Sequence, residues 1–360
     1  MVLKNRQTEK AFTWRTIQKH ILREIKIEEC KGKTIFVTGG AGFIGSEVVR
    51  QISDSGGNAI VFDNFSSGKK RYVENLKNVK IVKGDIKNRN LISKALKNCD
   101  YIINLAALPF IPDSYHYPQE FFNVNTNGTL NVVLEAIKQK RIKNFVHIST
   151  SEVYGTAREN PMDEDHPTLP QSTYAVSKLA ADRAVFTIHK EHNFPAVIIR
   201  PFNSFGPRIT QPYIIPEIII QILQGNGNVK LGNVDSQRDF TFVSDTARGI
   251  IISLFRDNAI GETINLGSNK TYKIKQIVEI IAAIIGKKPR ITLDKKRIRP
   301  YDVNKLLCDN SKAKKILGWK PSTSFREGIT ETVDWINSNH VEFNTPFQGW
   351  ARDYRSIRQK

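Results

Sequence analysis

Residues 34–46 read TIFVTGGAGFIGS, and this stretch decides the fold. Its first five residues form a β-branched apolar run that ends in glycines, as a buried parallel strand does when it enters a turn. The glycines fall at Gly39, Gly42 and Gly45, a G-x-x-G-x-x-G spacing, and an apolar helix-like stretch follows at once. Residues without a Cβ let the chain turn sharply and approach a pyrophosphate, whose charge is stabilised by the exposed N–H groups and dipole of the helix start. Gly39, Gly42, Phe43, Ile44 and Gly45 are therefore expected to contact a dinucleotide. The fingerprint also requires an acid about 20 residues on, at the end of the second strand, and Asp63 stands there. A carboxylate takes both ribose hydroxyls and repels a 2′-phosphate, which favours NAD over NADP.

Outward from this stretch the pattern repeats. Strand-like segments at 59–63 (AIVFD), 79–85 (VKIVKGD), 100–107 (DYIINLAA), 144–150 (NFVHIST) and 196–201 (AVIIRP) are separated by helix-length segments. Strands alternating with helices predict an α/β fold, a doubly wound parallel sheet covered on both faces. Asp85 and Ile86, just past the third strand, are expected beside the adenine. Leu105, Ala106 and Ala107, at the end of the fourth, are small enough for a dinucleotide to pass close by, although core packing alone would also explain them. After Pro201 a Gly/Pro/Asn-rich stretch opens a smaller C-terminal α/β lobe. The expected division is a basic extension at 1–33, a cofactor-binding domain at 34–202 plus about 244–268, a substrate lobe at about 203–243 plus 270–340, and a basic tail at 341–360. Ile17, Ile21 and Ile25 would form one apolar stripe of an additional helix in the extension.

The 360 residues carry 54 Lys and Arg against 35 Asp and Glu, a formal charge of +19. With 40% apolar residues the composition is that of a folded chain, not a disordered one. Residues 285–320 hold twelve basic against three acidic side chains, so the excess is clustered. Such a surface suits nucleic acid, anionic lipid or a phosphorylated small molecule, or is simply a solvated face; charge alone does not choose. No helix-turn-helix, zinc-ligand set or aromatic-basic stripe supports nucleic acid as the partner, and no metal site is expected. Three cysteines without a C-x-x-C pair favour a reducing compartment. No apolar run approaches the roughly 20 residues of a membrane span, so a cytoplasmic protein without membrane insertion is expected.

Tyr174 and Lys178 form a Y-x-x-x-K spacing that puts both side chains on one helix face, one turn apart. A phenol is a poor base near neutral pH unless a neighbouring ammonium favours the phenolate. Ser149, Thr150, Ser151 and Glu152 end the fifth strand, where ligands of open parallel sheets bind.

Taken together, TGGAGFIGS, the acid at 63, NLAA, STSEVYG, YAVSK and RPFNSFGPR resemble the extended short-chain dehydrogenase/reductases, the NAD-dependent epimerase/dehydratase family, over about 33–338. The resemblance implies a Rossmann fold, a tightly held NAD, a nucleoside-diphosphate sugar as substrate and a homodimer. It assigns catalysis to Thr150, Ser151, Glu152, Tyr174 and Lys178, with Tyr174 and Lys178 also touching the cofactor. Thr-Ser-Glu at 150–152 is similar to the triplet of GDP-mannose dehydratase-like enzymes; simple 4-epimerases usually lack the acid, whereas UDP-glucuronate decarboxylases share it. The run ITQPYIIP, with SEVYGTA and the late RIRPYDVNKLLCDNSKAKKILGW, resembles hexosamine 4,6-dehydratases of legionaminic-acid-type pathways. A nucleotide-sugar 4,6-dehydratase is thus the leading expectation, with 4-epimerase and decarboxylase as rivals and a non-catalytic NAD sensor or nucleic-acid binder as a more distant one. Asn203, Arg208, Arg238 and Arg299 match family positions near the substrate's diphosphate and base, and Leu231 is expected either to line the base pocket or to belong to the core. The segment LPFIPDSYHYP departs from the pattern of any one subgroup.

Overall fold

The computed structural model describes residues 27–225, 227–298, 302–339 and 341. In chain order its main elements are β1 (Thr34–Thr38), α1 (Phe43–Asp54), β2 (Asn58–Asp63), β3 (Val79–Lys83), α2 (Arg89–Ala95), β4 (Tyr101–Asn104), α3 (Thr129–Ile137), β5 (Asn144–Ile148) and α4 (Thr173–His192). There follow β6 (Ala196–Pro201), β7 (Asn203–Phe205), α5 (Ile214–Gln224), β8 (Asn228–Leu231), β9 (Gln237–Phe242), α6 (Val243–Leu254), β10 (Thr263–Leu266), β11 (Thr271–Lys273), α7 (Ile274–Ile285), β12 (Arg290–Leu293), α8 (Ser311–Leu317) and α9 (Phe325–Ser338).

Seven strands form one sheet in the order β10-β6-β5-β4-β1-β2-β3, parallel throughout. This is the doubly wound Rossmann arrangement. The order reverses between β1 and β4, which opens a crevice at their carboxyl ends. Both faces of the sheet are covered. On one, Val48, Val49 and Ile52 of α1 and Ile250, Ile251 and Leu254 of α6 pack on inward residues of β1, β5 and β6. On the other, Val132, Val133 and Ala136 of α3 and Val185 and Ile188 of α4 pack with Phe36, Phe62 and Phe145. The central strands are apolar on both faces, and this burial explains their near-continuous hydrophobic runs.

A smaller lobe joins the three-stranded sheet β11-β9-β7 and the parallel pair β12-β8 to α5, α7 and α9 through a core of Ile218, Ile219, Ile277, Ile281 and Ile329. The expected return of residues 244–268 to the main sheet is seen in α6 and β10. The assignment of all of 270–340 to the substrate lobe requires correction at 311–319. Ala313, Leu317 and Trp319 are buried in the cofactor-domain core, and Trp319 Nε1 donates to the Asp245 carbonyl at 2.9 Å. The expected helix stripe at Ile17, Ile21 and Ile25 lies outside the described residues, as does the tail beyond 341; Ile27 and Cys30, at the end of the extension, are buried in the same core. Among the described residues no helix is long and apolar enough to cross a membrane.

Candidate active site

The cleft of about 380 Å³ at the carboxyl ends of β1 and β4 continues into the small lobe. Its floor is the glycine-rich turn. Gly39 has φ +66°, and a Cβ there would lie 2.8 Å from the Ala106 nitrogen; a Cβ on Gly45 would lie 2.1 Å from the Gly39 carbonyl oxygen. These two glycines let the turn close on β4 and on the helix behind it. Gly42 differs, since a Cβ there would meet only the Gly39 oxygen, at 3.2 Å. Gly42 also begins α1 without a side-chain cap, so the first N–H groups of that helix are open to an anion.

Asp63 lines the cleft. Its Oδ2 accepts the Ala41 N–H at 3.0 Å and its Oδ1 the Phe65 N–H at 2.8 Å. Burial raises its pKa while those two donors oppose the rise. A fixed, buried carboxylate at this strand end fits the ribose hydroxyls of a dinucleotide and disfavours a 2′-phosphate. Asp85 and Ile86 line the same end, and Asp85 accepts from Asn64 Nδ2 at 3.1 Å. Leu105, Ala106 and Ala107 form the opposite wall. The Thr38 hydroxyl accepts the N–H groups of Leu105 and Ala106, each at 3.1 Å, and donates to Asn104 Oδ1 at 2.7 Å. The backbone there is therefore pinned. Phe43, Ile44 and Gly45 complete the turn. All of the expected cofactor contacts thus meet in one place, and their donors, acceptor and open backbone fit a dinucleotide.

Thr150, Glu152, Tyr174 and Lys178 line the deep part of the cleft. Thr150 caps the single helical turn Ser151–Tyr154, and its Oγ1 accepts the Glu152 N–H at 3.2 Å. Its hydroxyl lies beside the Tyr174 phenol. Burial raises the Tyr174 pKa, the Thr150 hydrogen bond lowers it, and the nearby Glu152 charge raises it again. Tyr174 and Lys178 lie on α4, whose start is fixed by the Ser172 hydroxyl accepting the Ala175 N–H at 3.1 Å. Lys178 is 3% exposed, and its Nζ donates to the Ile148 carbonyl at 2.5 Å. Burial lowers its pKa to about 8, against the opposing charge of Asp182. Ser151 is buried outside this lining, whereas Ser149 faces the cleft.

On the small-lobe side Asn203, Leu231 and Arg238 line the cleft. Arg238 pairs with Asp302 at 3.3 Å, and Asn203 Nδ2 donates to the Asp239 carbonyl at 3.3 Å. Arg208 does not line it. Its guanidinium pairs with Glu47 and donates to Ser46 Oγ at 3.3 Å, bracing the second turn of α1. The expected substrate contact at Arg208 is corrected on that ground. Arg299 lies outside the described residues. Motif spacing does not single out Phe110, Tyr213 or Arg297, yet all three line the cleft. Phe110 and Tyr213 face each other with ring centroids 6.4 Å apart, while Arg297 pairs with Glu217. Phe110 belongs to the segment LPFIPDSYHYP, which the resemblance puts beside the sugar, and Tyr213 to the run ITQPYIIP, but nothing in either run marks the aromatic itself. Among the described residues no group of His, Cys, Asp and Glu could hold a metal ion.

Comparison with known proteins agrees with this geometry. The family model for GDP-mannose 4,6 dehydratase matches residues 36–332. The low-salt glycan biosynthesis protein Agl12 of Haloferax volcanii is 32% identical over 308 residues, 84% of this chain and 97% of that protein. Among solved structures, the UDP-N-acetylglucosamine 4-epimerase of Methanobrevibacter ruminantium in complex with UDP-N-acetylmuramic acid superposes with a TM-score of 0.79 at 32% identity, covering 86% of this chain and 99% of that one. The dTDP-glucose 4,6-dehydratase DesIV of Streptomyces venezuelae, solved with NAD bound, gives 0.79 at 28% identity, covering 85% and 97%.

Proposed function

Because the chain belongs to the GDP-mannose 4,6 dehydratase family, whose relatives act on nucleotide sugars as dehydratases or epimerases, we propose that it is an NAD-dependent nucleotide-sugar 4,6-dehydratase. The observation that carries this reading is Glu152. Its carboxylate lines the cleft on the turn after Thr150 and stands close enough to Tyr174 for its charge to act on the phenol. An epimerase has no use for an acid there. A dehydratase needs one, because a ketone at C4 acidifies the C5 hydrogen, and a carboxylate beneath C5 removes that proton and protonates the departing O6.

The residues of the proposed cycle are Thr150, Glu152, Tyr174 and Lys178. Tyr174 Oη takes the O4 proton while the Thr150 hydroxyl donates a hydrogen bond to the same oxygen. Lys178, cationic at its position one helical turn on, favours the phenolate. A dinucleotide held at the glycine turn would supply the hydride chemistry, as acceptor of the C4 hydride and its donor to C6. Glu152 takes the C5 proton and gives it to O6, so that water leaves; as the hydride reaches C6, Glu152, reprotonated from solvent, returns a proton to C5, and Tyr174 releases the O4 proton to solvent. The sugar loses one water with no net redox change, since C4 is oxidised and C6 reduced by the same hydride. Gly39, Gly42, Phe43, Ile44, Gly45, Asp63, Asp85, Ile86 and 105–107 hold the cofactor in this reading, while Asn203, Leu231 and Arg238 hold the nucleotide diphosphate. Ser151 has a supporting place in the turn.

The second reading is a 4-epimerase, favoured by the similarity to the Methanobrevibacter enzyme. Turnover in deuterium oxide separates the two. A dehydratase incorporates one solvent deuterium at C5, whereas a 4-epimer whose C5 retains its protium would overturn the dehydratase reading.

A further inference from the structure

The two halves of the catalytic machinery stand on different elements: Tyr174 and Lys178 on α4, Thr150 and Glu152 at the turn Ser151–Tyr154. A buried polar chain connects them. Asp182, fully buried and one turn beyond Lys178 on α4, accepts from Arg200 Nε at 2.9 Å and from Arg200 Nη2 at 3.3 Å. Arg200, on β6 and 3% exposed, donates through Nη1 to the Tyr154 hydroxyl at 3.0 Å and lies over the Tyr154 ring, 4.9 Å from its centroid. The Tyr154 hydroxyl in turn donates to Asn265 Oδ1 on β10 at 2.7 Å. Tyr154 is the last residue of the turn that carries Glu152. We propose that Asp182, Arg200 and Tyr154 form a positioning network that sets the register of α4 against the Glu152 turn and, through the Asp182 carboxylate, keeps Lys178 charged.

The charges support a role for Asp182 beyond packing. A buried ion pair contributes little net stability against apolar replacement, whereas an anion one helical turn away acts directly on Lys178. The groups facing Lys178 from each side are Tyr174 and Asp182 on its own helix, His147 on β5, and the two arginines paired with Asp182, Arg200 on β6 and Arg183 on α4, the latter at 2.5 Å. Burial drives the His147 pKa well below its ordinary value, so His147 is neutral and adds no charge. Asp182 is then the one facing anion that opposes the burial of Lys178. Removing its charge makes Lys178 lose its proton at lower pH.

The inference rests on the proposed proton transfer at Tyr174, which dehydratase and epimerase share, and its first test needs no substrate. Competitive labelling of the enzyme with fluorodinitrobenzene across pH, read at Lys178 by peptide mass spectrometry, gives the titration midpoint of that amine. In Asp182→Asn the midpoint should fall by about one pH unit, and Asp182→Glu should restore part of the shift. An unchanged midpoint in folded Asp182→Asn overturns the proposal. Tyr154→Phe, which keeps the ring and every charge, supplies a second test. Its kcat should drop about tenfold from loosened positioning with KM little changed, and an unaltered kcat contradicts the register role. Absence of nucleotide-sugar turnover by the wild-type enzyme would count against the proposed function and leave the labelling result standing.

Discussion

Glu152 and Arg208 show how far single residues can be read before folding is known. Tyr174 and Lys178 were legible because a helix repeats every 3.6 residues and their spacing alone puts them together. Glu152 was legible because it follows Thr150 within one turn at a strand end. Arg208 was not, because its partner Glu47 lies 161 residues away in sequence; a guanidinium that suits a phosphate suits a carboxylate equally well. The chemistry assigned to Glu152 leads to a prediction at this scale. Glu152→Gln keeps the shape and removes the proton acceptor, so water loss should fall by about 10²- to 10⁴-fold while NAD stays bound. Steady-state product formation and the cofactor content of the purified variant measure the two effects. Full turnover by the variant would remove the acid role.

Elements were legible where periodicity was strong. The run at 34–38 and the glycines after it predicted β1, the turn and α1, and the positive φ of Gly39 and the 2.1 Å approach at Gly45 supply the physical reason for two of those glycines. The segment 108–128 was less legible. It folds as two single helical turns, Ile111–Ser114 and Pro118–Phe121, each with a proline in its first turn, followed by the π-helical Phe122–Gly128. Asn125 holds that stretch to the catalytic helix and to the cleft wall, donating through Nδ2 to Ser177 Oγ at 3.0 Å and accepting the Leu108 N–H at 2.8 Å. Tertiary hydrogen bonds of this kind leave no period in the sequence. At the glycine turn, Gly45→Val would drive a side chain into the Gly39 carbonyl and push α1 off β1. The variant is expected to lose NAD affinity by at least about 100-fold, which isothermal titration with NAD would report; near wild-type affinity would show that this packing does not shape the cofactor site.

On the scale of the whole molecule, the βα alternation predicted a doubly wound parallel sheet, whereas the switch point between β1 and β4 follows from the strand order, which alternation alone does not fix. The domain boundary was harder to read. Residues 311–319 follow the small lobe in sequence but pack on the cofactor domain, where Trp319 is fully buried against α6 and β10. Trp319→Ala should therefore cost about 3–5 kcal/mol, seen as a lower urea midpoint for the cofactor domain; a midpoint shift confined to the small lobe would contradict that packing. The net charge of +19 is only partly absorbed by the site. Arg238 lines the cleft, Arg297 does so while paired with Glu217, and most other basic residues belong to the surface or to the segments beyond the described residues.

In the proposed cycle the cleft removes water from a nucleotide-linked hexose. Mass spectrometry of the products formed from UDP-, GDP- and dTDP-linked hexoses and N-acetylhexosamines tests it most directly. For at least one of these substrates the expected product is lighter by one water. Products of unchanged mass across the whole panel, with a 4-epimer identified by NMR, would contradict it.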